Sequence, residues 1–230
     1  MKKLLLASTS TLFGEDYLAY LLDELSVFFA DVDTITFVPY ARPGGISLDD
    51  YTKVVAKAFA KINKKVVGLH TFSNLEEGIN NAQAFFVGGG NTFLLVQQLY
   101  ELKIMGKLAE KVTFGTPYLG ASAGSNIAGL NMQTTNDMPI AYPESFQTMG
   151  LVNFNINAHY LDPDPKSNHN GETRETRIKE FHTLNSTPVV GLREGSFVVV
   201  TNNNVRLKGG QTARIFLPDT KPFESDFIQF

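Results

Sequence analysis

Ser122 stands at the centre of Gly120-Ala121-Ser122-Ala123-Gly124, a Gly-x-Ser-x-Gly pattern set between two apolar segments. The run before it, Thr116-Pro117-Tyr118-Leu119, reads as a short buried strand, and Ser125-Asn126-Ile127-Ala128 reads as the start of a helix. A serine on so tight a strand-to-helix turn projects its hydroxyl above the sheet, where it can meet a substrate. Small residues on both sides let strand and helix approach closely. The next backbone N–H, that of Ala123, points to where an oxyanion would form. The chemistry implied is attack by a serine hydroxyl on a carbonyl carbon.

Such a nucleophile needs a base within hydrogen-bond reach, usually histidine. The chain has four: His70, His159, His169 and His182. His182 falls in the helix that opens at Thr173, next to Phe181, and reads as structural or solvated. His70 ends a strand and reads as half-exposed. His169 lies among Asn, Lys and Asp and reads as a surface residue. His159 follows the alternating run Val152–Asn157, at the sheet edge where open α/β folds bind their ligands, and that position singles it out. A carboxylate must then hold the imidazole in the correct tautomer. Glu194 follows the apolar run Pro188–Leu192, and Asp137 lies in the polar loop Thr134-Thr135-Asn136-Asp137-Met138-Pro139. Each also has a plain reading, Glu194 as a turn residue before Gly195 and Asp137 as an Asx turn, and these positions do not rank them. Gly88-Gly89-Gly90-Asn91 lacks the Lys-Ser/Thr of a phosphate loop and the spacing of a dinucleotide fingerprint. At the carboxyl end of a strand it better suits a second oxyanion donor, from Gly89 and Gly90.

The elements that must hold these residues alternate through the first half of the chain. Leu4-Leu5-Leu6, Thr34–Val38, Val66–Leu69, Ala84–Val87 and the run before Ser122 read as strands. Leu18, Leu21, Leu22, Leu25 and Phe29 recur on one helical face, and so do Val54, Val55, Ala58, Phe59 and Ile62 behind an N-cap at Ser47. Leu94, Leu95, Leu99 and Leu102 mark a further helix. Apolar strands separated by helices predict a mostly parallel sheet with helices on both faces. From about Asn131 the rhythm changes, and residues 188–217 are strand-rich. With 230 residues, 43% of them hydrophobic, the chain suits a single domain over 1–230. Net charge is −3 and there is no cysteine, so nucleic acid is not an expected partner and thiolate or Cys–zinc chemistry is excluded. The apolar start is too short for a signal peptide and no run is long enough to span a membrane, so a soluble cytoplasmic protein is expected.

Six motifs converge on one family. Val87-Gly88-Gly89-Gly90-Asn91-Thr92-Phe93, Ser122-Ala123-Gly124 and Thr134-Thr135-Asn136-Asp137-Met138-Pro139-Ile140 resemble the peptidase E family of α-aspartyl dipeptidases. Ile156-Asn157-Ala158-His159, Gly171-Glu172-Thr173-Arg174-Glu175 and Gly191-Leu192-Arg193-Glu194-Gly195 continue the resemblance in the same order. Ala121 stands where the bacterial pattern has an aromatic residue, and Ala158 where it has proline; neither bears a reacting group. The resemblance implies a flavodoxin-like fold related to class I glutamine amidotransferases, with serine in place of their cysteine. It implies hydrolysis of dipeptides with an N-terminal aspartate, with Ser122 as nucleophile and His159 as base. The third member falls on Glu194 or Asp137, with Glu194 preferred for its strand-end position. Gly89, Gly90 and the Ala123 N–H would form the oxyanion hole. Arg174 is the first choice to anchor the aspartate carboxylate, since a planar guanidinium matches it bidentately; Arg193 and Asn136 follow. No cofactor or metal is expected, the partner is a small dipeptide, and the assembly is a monomer or homodimer. Two other readings compete: a cyanophycinase-like hydrolase of β-aspartyl peptides, and a non-catalytic module that binds an acidic ligand. An α/β-hydrolase esterase shares the elbow but places its histidine late, and none follows His182.

Overall fold

A computed structural model describes residues 1–164, 166 and 171–230; His169 lies outside them. The elements are β1 (Lys3–Ala7), α1 (Leu22–Phe28), β2 (Thr34–Val38), α2 (Leu48–Ala60), β3 (Lys65–Gly68), α3 (Leu75–Asn80), β4 (Phe85–Val87), α4 (Thr92–Glu101) and α5 (Met105–Thr113). After them come β5 (Tyr118–Ala121), α6 (Ala123–Asn126), β6 (Asn155–Ala158), α7 (Arg174–His182), β7 (Val189–Leu192), β8 (Phe197–Thr201), β9 (Asn204–Lys208), β10 (Ala213–Phe216) and β11 (Phe223–Ser225). The main sheet has the order β3-β2-β4-β5-β1-β8-β9. Its first five strands are mutually parallel, and β8 and β9 add antiparallel strands beyond β1. A second sheet has the order β11-β10-β7-β6, with β6 and β7 parallel. The strand-rich C-terminal part is thus divided between two sheets.

Strand alternation sorts the core. Leu4 and Leu6 face one cluster with Leu95, Leu99 and Leu108 from α4 and α5, while Leu5 and Ala7 face the other with Leu25, Val55 and Phe59 from α1 and α2. Both faces of β1 are therefore buried, which is why its sequence is continuously apolar rather than alternating. Each such leucine or phenylalanine, fully buried, contributes roughly 1.5–3 kcal/mol relative to exposure.

Several local expectations are corrected. The stretch Leu18–Phe29 is a 3-10 turn (Ala19–Leu21) followed by α1, because Leu18 takes a left-handed φ of 57°. The buried stripe of α2 is Tyr51, Val55, Ala58 and Phe59, and Val54 is 40% exposed, one step off that face. Of Val152–Asn157 only the end is strand, since β6 pairs with β7 from Asn155 onward; Val152 and Phe154 are buried in irregular chain. The strand leading to Ser122 begins two residues later than the apolar run, at Tyr118. Ser47 and Thr173 do cap α2 and α7, accepting from the Asp50 and Thr176 N–H groups.

Candidate active site

The carboxyl ends of β1, β4 and β5 meet at Ser122. Its backbone is at φ 54° and ψ −111°, a conformation that costs an L-residue of order 1–3 kcal/mol and persists only when the surroundings enforce it. The enforcement is visible. The Ser122 N–H donates to Ala7 O at 3.0 Å, and its carbonyl accepts from the N–H groups of Ser125 and Asn126, starting α6. A Cβ at Gly124 would collide with the Val87 carbonyl, so only glycine lets α6 sit this close to β4. The buried Tyr118 hydroxyl donates to Gly124 O at 2.6 Å.

His159 follows β6, also at a positive φ of 54°. Its Nε2 is 2.8 Å from Ser122 Oγ and its Nδ1 is 2.6 Å from Glu194 Oε1. The parallel register of β6 and β7 pairs Ala158 with Leu192, so the residues leaving the two strand ends, His159 and Glu194, emerge side by side. With Nδ1–H donating to the carboxylate, Nε2 is left to accept the serine proton. The side chains of His159 and Glu194 are 35% and 49% exposed, so the pair faces solvent rather than the core.

Asp137 does not contact His159 here. Its Oδ2 accepts from the Thr92 N–H at 2.7 Å and from the Thr135 hydroxyl at 2.9 Å, at the first turn of α4. A carboxylate there satisfies an orphan N–H and complements the helix dipole. Asn136 is also committed: its Nδ2 donates to Asn157 Oδ1 and Ala158 O, and its Oδ1 accepts from Asn157 Nδ2. It braces the end of β6 and has little left for a substrate, which corrects its assignment as a binding residue. Asn91 caps α4 and donates to Met138 O, tying the glycine loop to the same segment.

Gly89 lies against the nucleophile, where an added Cβ would be 3.1 Å from Ser122 Cβ. Gly90 has a φ of 148° and is pressed on Ala41, whose carbonyl a Cβ would strike. Among the described residues, no backbone or side-chain partner takes the N–H of Gly89 or Gly90. Ala123 is the first residue of α6, and its N–H has no acceptor within the helix. Gly89 and Ala123 thus border Ser122, and among the described residues the N–H groups of Gly89 and Gly90 have no acceptor.

Arg174 opens α7, is half-buried, and has its Nη1 buried without a partner. Desolvation, and then repulsion from Arg177, holds its pKa below the ordinary arginine value, while attraction from Glu194 and Asp137 opposes the shift. Arg174 thus feels the charge of both carboxylates, and its buried Nη1 has no hydrogen-bond partner among the described residues. Arg193, by contrast, is consumed. Its three nitrogens reach Asp162, Glu224 and Thr212, and the bonds to Asp162 and then Glu224 raise its pKa. It anchors the turn that carries Glu194 and cannot serve as a second candidate anchor. His70 pairs with Asp49 at 3.0 Å and His182 with Thr187 O at 3.0 Å, both away from Ser122. Among the described residues no group of three His, Asp or Glu stands ready for a metal ion, and no helix is long and apolar enough to cross a membrane.

One functional residue escaped the sequence reading. Ser8 follows β1; its hydroxyl accepts from the His159 N–H at 2.9 Å and donates to Leu192 O at 2.6 Å. It joins three strand ends and sets the His159 backbone. Its only sequence signal is a hydroxyl residue at the carboxyl end of an apolar run. Ser8→Ala orphans a donor and an acceptor, at about 1–3 kcal/mol. The variant is expected to lose about tenfold in kcat, as misplacement of a catalytic group does, with KM nearly unchanged. Steady-state kinetics reads this, and an unaltered kcat would show that the β6 end holds His159 without Ser8.

The sequence matches the model of peptidase family S51 over residues 4–208. It is 46% identical over 221 residues to a Drosophila melanogaster protein named "Probable alpha-aspartyl dipeptidase", covering 95% of this chain and 91% of that protein. It is also 46% identical to a peptidase E of Streptomyces coelicolor, covering 96% of this chain and 90% of the relative. A solved structure of a peptidase from an acI-B1 actinobacterium superposes with a TM-score of 0.69 at 14% identity, covering 100% of this chain and 96% of that one, a likeness of fold.

Proposed function

The chain belongs to peptidase family S51, and on that premise we propose that Ser122, His159 and Glu194 form its catalytic triad. The protein is a serine dipeptidase acting on dipeptides with an N-terminal aspartate. The observation that carries the proposed mechanism is the continuous chain of contacts Ser122 Oγ to His159 Nε2, 2.8 Å, and His159 Nδ1 to Glu194 Oε1, 2.6 Å.

His159 takes the Ser122 proton as Oγ attacks the aspartyl carbonyl, and Glu194 stabilises the imidazolium that results. The tetrahedral oxyanion is held by the N–H groups of Gly89, Gly90 and Ala123. His159 then gives the proton to the leaving amine, the C–N bond breaks, and water activated by His159 hydrolyses the acyl-enzyme. Arg174 pairs with the aspartate side-chain carboxylate. Asp137 acts at one remove, by fixing the start of α4 behind the glycine loop.

Three broader inferences belong to this reading. The order β3-β2-β4-β5 matches the 2-1-3-4 part of a flavodoxin-like sheet, with β1 in the fifth place, which supports a flavodoxin-like, amidotransferase-like ancestry. A core cluster that includes both Leu4 and Ile228 supports a single domain over 1–230. Action in the cytoplasm fits a chain without cysteine.

A panel of Asp-x, Asn-x, Glu-x and β-Asp-x dipeptides tests the specificity. Breaking a desolvated charge pair costs roughly 2–5 kcal/mol, and half-burial of Arg174 takes the lower end. Asp-x should therefore outpace Asn-x by about 10²-fold, and Glu-x should fail because an extra methylene displaces the scissile carbonyl from Ser122. Arg174→Ala should collapse the Asp/Asn ratio. An unchanged ratio would place the anchor elsewhere, preference for β-Asp-x would favour the cyanophycinase-like reading, and binding without turnover would favour the non-catalytic one.

A further inference from the structure

A dipeptide with N-terminal aspartate carries two carboxylates, one on its first side chain and one at its C-terminus. A site that takes it whole needs two cations. Among the described residues, Arg193 and Arg214 are paired with Asp162, Glu175 and Glu224, and Arg177 with Glu172. Arg206 lies on β9, at the far edge of the main sheet. Like it, Arg174 and Arg42 have no ion pair among the described residues, and both lie nearer the site.

Arg42 sits where a ligand would need it. It follows β2 at the same carboxyl edge that carries Ser122. The order of the sheet reverses here, with β3 on one side of β2 and β4 on the other, and open α/β sheets take ligands at such a switch point. The neighbouring Ala41 carbonyl accepts from the Asn91 N–H at 2.7 Å, and Ala41 packs on Gly90. The Arg42 guanidinium carbon lies 4.9 Å from the centre of the Tyr51 ring, and the Tyr51 hydroxyl donates to Gly89 O at 3.1 Å. Arg42 is therefore stacked beside the glycine loop that borders Ser122, with its fork open to solvent. Stacking on an aromatic face pre-orients a guanidinium, which then matches a carboxylate bidentately. Arg42 also lines a cavity of about 620 Å³ whose walls are mostly apolar, with Leu48, Leu75, Leu94 and Ile140, and whose polar members besides Arg42 include His70 and Gln98.

We propose that Arg42 binds the C-terminal carboxylate of the leaving residue and that this cavity receives that residue's side chain. The enzyme then selects dipeptides whose second residue is apolar and whose carboxyl terminus is free, and passes over longer peptides. The proposal rests on the Ser122-centred reading above and adds the half of the substrate which that reading leaves unassigned.

The test uses Asp-Leu, its C-terminal amide and Asp-Ser with the wild-type protein and with Arg42→Ala and Arg42→Lys. In the wild type, Asp-Leu should exceed both its amide and Asp-Ser by about tenfold in kcat/KM, the scale of one charged hydrogen-bonded contact. Arg42→Ala should lower kcat/KM for Asp-Leu about tenfold, mainly through KM, and erase the preference for the acid over the amide. Arg42→Lys should restore part of that preference. Equal proportional losses on acid and amide, or no loss on Asp-Leu, would overturn the role of Arg42. Equal rates for Asp-Leu and Asp-Ser in the wild type would overturn the role of the cavity. Wild-type protein inert toward all three would overturn the dipeptidase reading, and this proposal with it, a pattern distinct from the others.

Discussion

Ser122→Ala is expected to lose all measurable turnover of Asp-x dipeptides while keeping its fold. In the proposed mechanism Ser122 is the nucleophile, its hydroxyl lying 2.8 Å from His159 Nε2. The methyl group of alanine retains the Cβ that Gly89 packs against, and the hydroxyl makes no contact that holds the elbow together. The free N–H groups of Gly89, Gly90 and Ala123 remain, so a residual enhancement over water of roughly 10³–10⁴ is expected from oxyanion stabilisation and binding alone. A companion variant separates function from strain. Ser122→Gly should be equally inactive yet as stable as Ser122→Ala or more so, because glycine relieves a left-handed conformation costing about 1–3 kcal/mol. Its greater unfolded-state freedom offsets roughly 0.5–1 kcal/mol of that gain. Thermal unfolding reads the balance, and activity near wild type in either variant would reject the serine mechanism.

Glu194→Gln carries the second large effect. A carboxylate on Nδ1 fixes the imidazole tautomer and stabilises the imidazolium; replacing a buried one with its amide costs about 10⁴ in kcat in the serine-protease template. Glu194 is half-exposed, and water can take over part of its role. A loss of about 10²–10⁴ in kcat is therefore expected, with KM nearly constant. Asp137→Asn should act differently. It weakens the contacts to the Thr92 N–H and Thr135 hydroxyl and so loosens the start of α4, with an expected loss of about tenfold or less and a lower melting temperature, as for an N-terminal helix acceptor worth about 1 kcal/mol. Kinetics and melting of both variants decide the matter. A harmless Glu194→Gln beside an inactive Asp137→Asn would reverse the assignment, and large non-additive losses in both would mean that they form one network.

The residues around the nucleophile show how far a linear pattern reaches. Gly120 to Gly124 announce the elbow because its requirements are local: small side chains, an abrupt turn, a helix that starts at once. The same holds for the caps at Ser47 and Thr173, where a hydroxyl meets an N–H three residues on. Continuously apolar strands separated by helices foretold two buried faces, and Leu4 with Leu6 and Leu5 with Ala7 divide accordingly. The helix over Met105–Thr113 went unread although Met105, Leu108 and Val112 have its spacing, since no cap marks its start.

What the amino-acid sequence by itself determined, then, is the strand-to-helix turn at Ser122, the glycine loop, the alternating α/β plan and the two core faces, all properties of residues close together in the chain. Partner choice belonged to the tertiary structure. Glu194 lies 35 residues from His159, and nothing local distinguishes it from Asp137; the parallel pairing of β6 with β7 brings one carboxylate to the imidazole and leaves the other at a helix terminus. Ser8 reaches His159 across 151 positions only because folding brings the end of β1 against the ends of β6 and β7, where its hydroxyl bonds the His159 N–H and Leu192 O. Arg193 stood behind Arg174 as an anchor in the sequence, and only folding separates them physically: it surrounds the first with Asp162 and Glu224 and leaves the second with a buried nitrogen that has no partner among the described residues. Hydrogen bonds and ion pairs form between whatever groups strand order and register bring within about 3 Å, and that register is a property of the folded sheet.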